Sequence, residues 1–144
     1  MKFEDIATNW EKDSQLDKSE LGDEALKIPK LHHKYYMIFL QEKSILKKLE
    51  SEFKVLKLEK YEFYTQGHTE ETKEKGWSLP PRGMILKTEI PMYIESDKDI
   101  ISMSLRIGAQ QEKVDFVDSI IKTINTRGYL IKTALDWQKF ILGG

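Results

Sequence analysis

Apolar residues recur every three or four positions over two long stretches of the chain, a spacing typical of amphipathic helices. The first stretch runs from about Lys30 to Tyr64 without glycine or proline, and the second from Gln110 to Ile141. Strict three–four alternation, as in the second stretch, is typical of a coiled coil or bundle. We therefore predict a mainly α chain with two long helices. Their apolar faces comprise Tyr35, Phe39, Leu46, Leu49, Phe53 and Leu56, flanked by Ile38, Ile45 and Phe63, and then Val114, Val117, Ile121, Ile124, Gly128, Ile131 and Leu135.

Between these stretches, residues 84–107 are rich in β-branched side chains that alternate around Ser96-Asp97-Lys98-Asp99. Such alternation predicts two strands, at about 84–94 and 100–107, joined as a small β-hairpin. Pro91 would confine the first strand to a sheet edge, because proline donates no hydrogen bond to a neighbouring strand.

The N-terminal segment has apolar residues at helical spacing, Phe3, Ile6 and Trp10, among acidic ones. A polar, glycine-containing linker follows it, so we predict an acidic arm over residues 1–16 and a single domain over residues 17–144. The three apolar residues suit either of two roles. They can anchor the arm in a groove of a partner protein, or pack on the chain's own core.

Composition excludes several classes of chemistry. The 144 residues carry a formal charge of −1 and include no cysteine, which excludes disulfides, thiolate metal sites and a cysteine nucleophile. The adjacent His32 and His33 point about 100° apart on a helix and cannot chelate a metal together. Nucleotide-binding and acyl-transfer motifs are also missing. With neither a signal peptide nor an apolar run of about 20 residues, we expect an intracellular protein without membrane contact, cofactor, metal or catalytic activity.

The near-neutral total charge conceals a cationic stretch, because residues 43–60 hold six lysines and three glutamates. Steps of three, four and seven place Lys43, Lys47, Lys54 and Lys57 on one helix face, here called the lysine row. Lysines bind nucleic-acid phosphates, and aromatic rings stack on unpaired bases. We therefore predict a single-stranded DNA site, although a solvated helix face remains the simpler interpretation. Its predicted residues are Lys43, Lys47, Lys54, Lys57, Lys60, Tyr61 and Tyr64, with Arg82 and Lys87 as additional contacts.

Gly128 lies within the apolar face of the second predicted helix. A glycine inside a helix costs up to about 1 kcal/mol relative to alanine, so we expect a compensating close approach of another backbone. The three–four face around it, including Ile121, Ile124, Ile131 and Leu135, is the predicted surface for self-association.

Several segments together resemble the UvsY family, the recombination mediators of large tailed phages. They are FEDI, DKSELGDEAL, KYEFYTQG, SDKD and NTRGYLIKTALDWQKF, and they span residue 3 to residue 140. The resemblance implies a homo-oligomeric ring, of the hexamer or heptamer class, that binds single-stranded DNA. It also implies a role in loading a RecA-like phage recombinase onto strands covered by the phage single-strand-binding protein, in the cytoplasm of the infected bacterial host.

The resemblance also bears on particular residues. In that family a Lys-x-Arg pair precedes the aromatic residues that end the long helix. Here Lys60 matches the arginine position, whereas Leu58 occupies the lysine position with Lys57 beside it. The sequence Arg127-Gly128-Tyr129 is similar to an Arg-Gly-aromatic element in a region of the family associated with oligomer assembly, which adds Arg127 to the predicted interface.

Three functions therefore compete. The first is a recombination mediator, and the second is a structural coiled-coil scaffold that binds no nucleic acid. The third is a metal-dependent nuclease that uses Asp97 and Asp99, although these residues are more simply explained as turn formers.

Overall fold

A computed structural model describes residues 1–81 and 85–143, and it is helical with no strand in those residues. The prediction of a mainly α fold is confirmed. In chain order the helices are α1 (Phe3–Asp13), α2 (Leu21–Leu26), α3 (Ile28–Gln66), α4 (Glu70–Glu74), α5 (Ile90–Glu95), α6 (Lys98–Asn125) and α7 (Arg127–Ile141).

The prediction of a first long helix is confirmed by α3, which extends two residues beyond the predicted stretch at each end. The helix ends at Gln66 and is followed by Gly67, whose φ of +86° lies in the left-handed region that glycine adopts without strain. The Gly67 N–H donates to the Phe63 carbonyl at 2.9 Å. Within the predicted apolar face, Tyr35, Leu46 and Leu49 are buried, as the spacing indicates.

The predicted β-hairpin is wrong. Residues 90–95 form α5, and α6 begins at Lys98 in the middle of the supposed turn. Pro91 lies in the first helical turn, where its missing N–H has no cost. The Asp97 carboxylate caps α6 by accepting from the N–H groups of Asp99 at 2.9 Å and Ile100 at 3.2 Å. These local signals outweigh the β-branched composition.

The second long helix also differs from its prediction, because it begins earlier and is interrupted. The three–four spacing extends back from Val114 to the buried Gln110 and Ile100, all within α6. At Thr126 the helix breaks, and α7 follows it. Thr126 donates both its N–H and its hydroxyl to the Thr123 carbonyl, which tightens the chain at the break.

The chain divides into two compact units, formed by residues 1–44 with 111–143 and by Ile45–Gln110. The core of the first unit joins α1, α3 and α6. At one end of α1 the Asp13 carboxylate accepts hydrogen bonds from Lys34 at 2.6 Å and Tyr35 at 2.8 Å. The first unit thus includes the acidic segment 1–16 together with residues of the predicted domain 17–144. The buried core side chains are Ile6, Tyr35, Ile38, Val117, Ile120, Ile121 and Ile124.

The second unit contains the C-terminal part of α3, the helices α4 and α5, and the beginning of α6. Helix α4 is held by a capping box, in which Thr69 and Thr72 each accept a hydrogen bond from the other's N–H. Phe63, Ile90 and Ile100 supply buried apolar side chains to this unit.

Candidate nucleic-acid interface

The lysine row is exposed, as its position on the predicted helix indicates. Lys43 belongs to the first unit, and Lys47, Lys54 and Lys57 to the second. In the part of the chain that the structure describes, no carboxylate lies within 4.0 Å of these ammonium groups. The Lys57 ammonium lies 4.3 Å from the centre of the Phe53 ring, a cation–π contact one turn away on α3. These cations therefore remain available to an anionic partner.

Lys60 is in a different environment from the row, because it is 2% exposed. Its ammonium contacts the carboxylate oxygens of Asp99 at 2.8 Å and Asp97 at 3.1 Å. It also lies 3.6 Å from the centre of the Trp77 ring. The structure thus assigns this lysine to an internal ion-pair cluster, although the sequence predicts it as a DNA contact.

Tyr64 belongs to the same cluster and donates its hydroxyl to Asp97 at 2.7 Å. Burial would raise the pKa of the Asp97 carboxyl, but hydrogen bonds from Tyr64 and Lys60 outweigh burial and lower this pKa. Burial and the Asp97 carboxylate raise the pKa of the Tyr64 hydroxyl. Because the Lys60 ammonium forms ion pairs with both Asp97 and Asp99, these carboxylates have a positive partner within the protein.

Tyr61 and Lys87 meet Lys57 at an apolar groove of about 700 Å³ in the second unit. We use the name apolar groove for this cavity, which is formed by side chains of α3, α5, α6 and Lys87. Tyr61 is 47% exposed there, and Leu58 also lines it. The tertiary structure therefore brings Lys87, predicted as an additional DNA contact, to the groove that Lys57 and Tyr61 line one helical turn apart on α3. The groove is lined by Phe53, Lys57, Leu58, Tyr61, Lys87, Ile90, Pro91, Ile94, Glu95, Ile100, Ile101, Ser104 and Leu105.

The residues predicted for self-association fall into two groups. Ile121, Ile124 and Ile131 are buried within the chain itself, whereas Leu135 is 37% exposed. Gly128 lies in the first turn of α7, where an added Cβ would meet the Ile28 Cδ1 atom at 3.9 Å, an ordinary contact. Within the described chain, no backbone therefore approaches Gly128 closely enough to require glycine.

Arg127 is neither a solvated cation nor an exposed interface residue in this structure, because it is 6% exposed. Its guanidinium donates to the carbonyls of Asp13 at 2.8 Å and Gln15 at 3.2 Å. It also lies 3.5 Å from the Glu24 carboxylate. Arg127 thus joins the start of α7 to the end of α1 and to the linker after it.

Sequence analysis did not identify an exposed apolar surface along α7, which we call the α7 patch. Trp137 and Phe140 stack at 5.6 Å between ring centres and are 60% and 74% exposed. The signal was the spacing of Trp137, Phe140 and Ile141, which forms a second apolar face on the helix beside that of Ile131. The α7 patch comprises Tyr129, Leu130, Trp137, Phe140, Ile141 and Leu142.

The apolar residues of the acidic segment contact the chain's own core. Ile6 is fully buried, and Trp10 packs edge-on against Tyr35 at 5.4 Å between ring centres. Phe3 contacts Phe116 but remains 43% exposed. In this structure the segment therefore packs on the chain's own core, which was one of its two predicted roles. Its other predicted role, binding to a partner protein, stays a prediction.

Other candidates add no further site. Arg82 lies outside the described residues. Among the residues that the structure describes, no cluster of histidine, aspartate and glutamate is arranged to hold a metal. No described helix combines the length and apolarity needed to cross a bilayer.

Comparison with solved structures identifies the class of fold. Two crystal structures of the bacteriophage T4 recombination mediator protein UvsY match with TM-scores of 0.79 and 0.77, at 23% and 21% identity. The matches cover 99% and 97% of this chain and 98% of each UvsY chain. The chain therefore has the helical fold of those UvsY structures.

The family follows from the sequence match. The family model described as "Recombination, repair and ssDNA binding protein UvsY" matches residues 9–144. The chain belongs to the UvsY family, which confirms the resemblance, and the description of this family names recombination, repair and single-stranded-DNA binding. No curated protein matches the chain.

Proposed function

We propose that the chain is a single-stranded-DNA-binding recombination mediator. It would help to load a RecA-like phage recombinase onto strands covered by the phage single-strand-binding protein, in the cytoplasm of the infected bacterial host. The observation that carries this proposal is the exposed lysine row, whose ammonium groups have no carboxylate partner in the described chain. Membership of a family described as recombination, repair and single-stranded-DNA binding supports it.

The proposed site consists of Lys47, Lys54 and Lys57 in the second unit, extended by Lys87 at the apolar groove. Lys47 and Lys57 are ten residues apart on α3, about 15 Å along the helix. Each lysine that contacts a phosphate releases a counterion, so binding is independent of sequence and weakens as salt rises. Lys60 supports the site by stabilising the surrounding unit rather than by contacting DNA.

A homo-oligomeric ring of the hexamer or heptamer class would convert this modest site into a strong one. Several copies of a weak site on one assembly bind a long strand with much higher avidity than one copy does. The α7 patch supports self-association, because exposed apolar patches of this kind often mark protein interfaces. It is a better candidate for the interface than Ile121 and Ile124, which are buried in the chain.

The mechanism in this proposal is strand organisation without chemistry. A ring that presents many lysine rows would deform the strand and lower its affinity for the covering protein. The recombinase would then nucleate on the exposed strand. This step consumes no nucleotide on this chain, and the Lys60 ion pair with Asp97 and Asp99 argues against a nuclease built on those two carboxylates.

Fluorescence anisotropy with labelled oligonucleotides at two salt concentrations tests the proposal. We expect sequence-independent binding to single strands that weakens steeply between low and moderate salt. Absence of binding at micromolar protein would instead indicate a structural scaffold. Adding Mg²⁺ to the same mixture should leave the oligonucleotide intact, and its degradation would indicate a nuclease.

The mediator role has its own assay. Single-stranded DNA covered with the phage single-strand-binding protein is mixed with the recombinase, and recombinase assembly is followed in time. This chain should shorten the lag before assembly. An unchanged lag together with normal DNA binding would separate DNA binding from recombinase loading.

A further inference from the structure

We propose that the apolar groove binds unpaired bases of the strand whose phosphates contact the lysine row. This inference rests on the proposed function and names the part of the DNA that the groove recognises. Lysines alone bind the phosphates of any polyanion, whereas a groove for bases favours single strands. In a duplex the bases are stacked and paired, and their faces cannot enter such a groove.

The groove has the size and lining of a ligand site. Its volume of about 700 Å³ lies within the range of small-molecule pockets. Ile90 and Ile100, which are 2% and 6% exposed, form buried parts of its lining. Leu58 and Leu105 are 58% and 69% exposed and leave apolar surface open to an occupant.

The charges of the groove suit an anionic occupant. Among the described residues that line it, Lys57 and Lys87 are cationic and Glu95 is anionic. Lys54 lies one helical turn before Lys57 on α3 and is exposed. An occupant with a negatively charged backbone and flat apolar groups would satisfy both the lysines and the apolar lining.

Continuity with the lysine row favours DNA bases over other occupants. Lys57 belongs both to the row and to the groove lining, so a strand held by the row passes the groove opening. Beside it, Tyr61 is half exposed and offers a ring for stacking, a contact open to every base. A second copy of the chain, whose formal charge is only −1, would need the groove but not the row beyond it.

The experiment compares two labelled oligonucleotides of equal length and equal phosphate number. One carries thymine at every position, and the other is abasic, with tetrahydrofuran in place of each nucleoside. We expect the unmodified protein to bind the thymine oligonucleotide about 5- to 160-fold more tightly, which is the contribution of one stacked base. Equal affinity for the two would overturn the inference and leave phosphate binding intact.

A double variant, Leu58→Ser with Leu105→Ser, tests the groove itself. Both side chains are largely exposed, so the fold should survive, and the charge of the chain is unchanged. We expect the preference for thymine to disappear while affinity for the abasic oligonucleotide stays the same. Val55→Ser is the matched control, because Val55 is 57% exposed on the same helix but does not line the groove.

The outcomes separate this inference from the proposed function. If the unmodified protein binds neither oligonucleotide, the proposed function fails. If both bind and the double variant keeps its thymine preference, the groove does not hold bases and the inference fails alone. A double variant that keeps the preference but loses oligomer mass, measured by light scattering, would assign the groove to a second copy.

Discussion

The ammonium group of Lys60 lies 3.6 Å from the centre of the Trp77 ring, which covers it from solvent. The carboxylates of Asp97 and Asp99 contact the same ammonium. Lys60 therefore joins α3, the segment after α4 and the start of α6 within the second unit. A lysine that the sequence places next to a cationic face is thus an internal structural residue.

Replacing Lys60 should destabilise the chain rather than only weaken DNA binding. Lys60→Met leaves Asp97 without its charge partner, and removal of one member of a buried pair costs about 3–5 kcal/mol. We expect about 3 kcal/mol, because Asp99 is exposed and partly solvated. Urea unfolding gives the value, and Lys57→Met on the exposed face should change it by less than about 0.5 kcal/mol. Equal effects of the two variants would contradict this role.

Replacing the exposed lysines should instead weaken DNA binding rather than destabilise the chain. Lys54→Ala with Lys57→Ala should weaken single-stranded DNA binding and flatten its salt dependence. Each phosphate contact contributes about 0.7 to the log–log slope for single strands, so the loss should be roughly 1.4. Oligomer mass should stay unchanged.

The matched control for this variant is Lys132→Ala with Lys139→Ala, two exposed lysines on α7. This control removes the same charge, and its DNA binding should depend on salt more nearly as that of the unmodified protein does. Unaltered binding by the Lys54 and Lys57 variant would move the DNA site elsewhere, with Arg82 and Lys87 as the next candidates.

Acid should destabilise the chain through two tyrosine–aspartate pairs. Burial raises the pKa of Asp13 and of Asp97, but hydrogen bonds from Lys34 and Tyr35, and from Tyr64 and Lys60, lower both pKa values overall. An unfolded aspartate has a pKa of about 3.9 and binds its proton before the folded one does. The stability that these two aspartates contribute is therefore fully present above about pH 5, and it is lost as the pH falls through the lowered pKa values.

Tyr64→Phe tests the origin of this acid loss. The variant removes one hydrogen bond that lowers the pKa of Asp97, so stability should decline less steeply between about pH 5 and pH 3. At pH 7 it should be less stable by roughly 1.5–3 kcal/mol, since the lost bond is to a charged group. Tyr129→Phe, at a tyrosine that is 77% exposed, should keep the original profile in urea unfolding across pH.

Gly128→Ala should stabilise the individual chain. The added Cβ meets only the end of the Ile28 side chain at 3.9 Å, and alanine favours the helix over glycine by up to about 1 kcal/mol. We expect a gain of roughly 0.5 kcal/mol in the free energy of unfolding at low protein concentration. A loss of stability, or a loss of oligomer mass, would show that another subunit approaches this position closely.

The α7 patch should govern self-association. Trp137→Ser with Phe140→Ser removes two stacked, exposed rings and should lower the oligomer mass measured by light scattering. Affinity for long single strands should fall by about 100-fold or more, because the avidity of multiple sites is lost. Leu26→Ser, at an exposed apolar position on α2, should leave both quantities unchanged.

Much of the fold could be predicted from local pattern. The three–four spacing of Tyr35, Leu46 and Leu49 fixes a helix face without reference to any other element. The same holds for the exposed lysines of α3, because i, i+3, i+4 and i+7 positions share a face in any α-helix. The Asp97 cap was also present in the sequence, although the β-branched residues around it led to the wrong prediction of a hairpin.

Sequence by itself therefore determined α3, its apolar face and the position of the lysine row, since these depend on residues a few positions apart. Tertiary structure alone decided that Lys60 is buried while Lys57 is exposed, and that Lys57, Tyr61 and Lys87 share one groove. It also decided which apolar residues of α7 remain uncovered. Burial and charge pairing depend on neighbours distant in sequence, such as Trp77 and Asp97 around Lys60, and helical spacing holds no information about them.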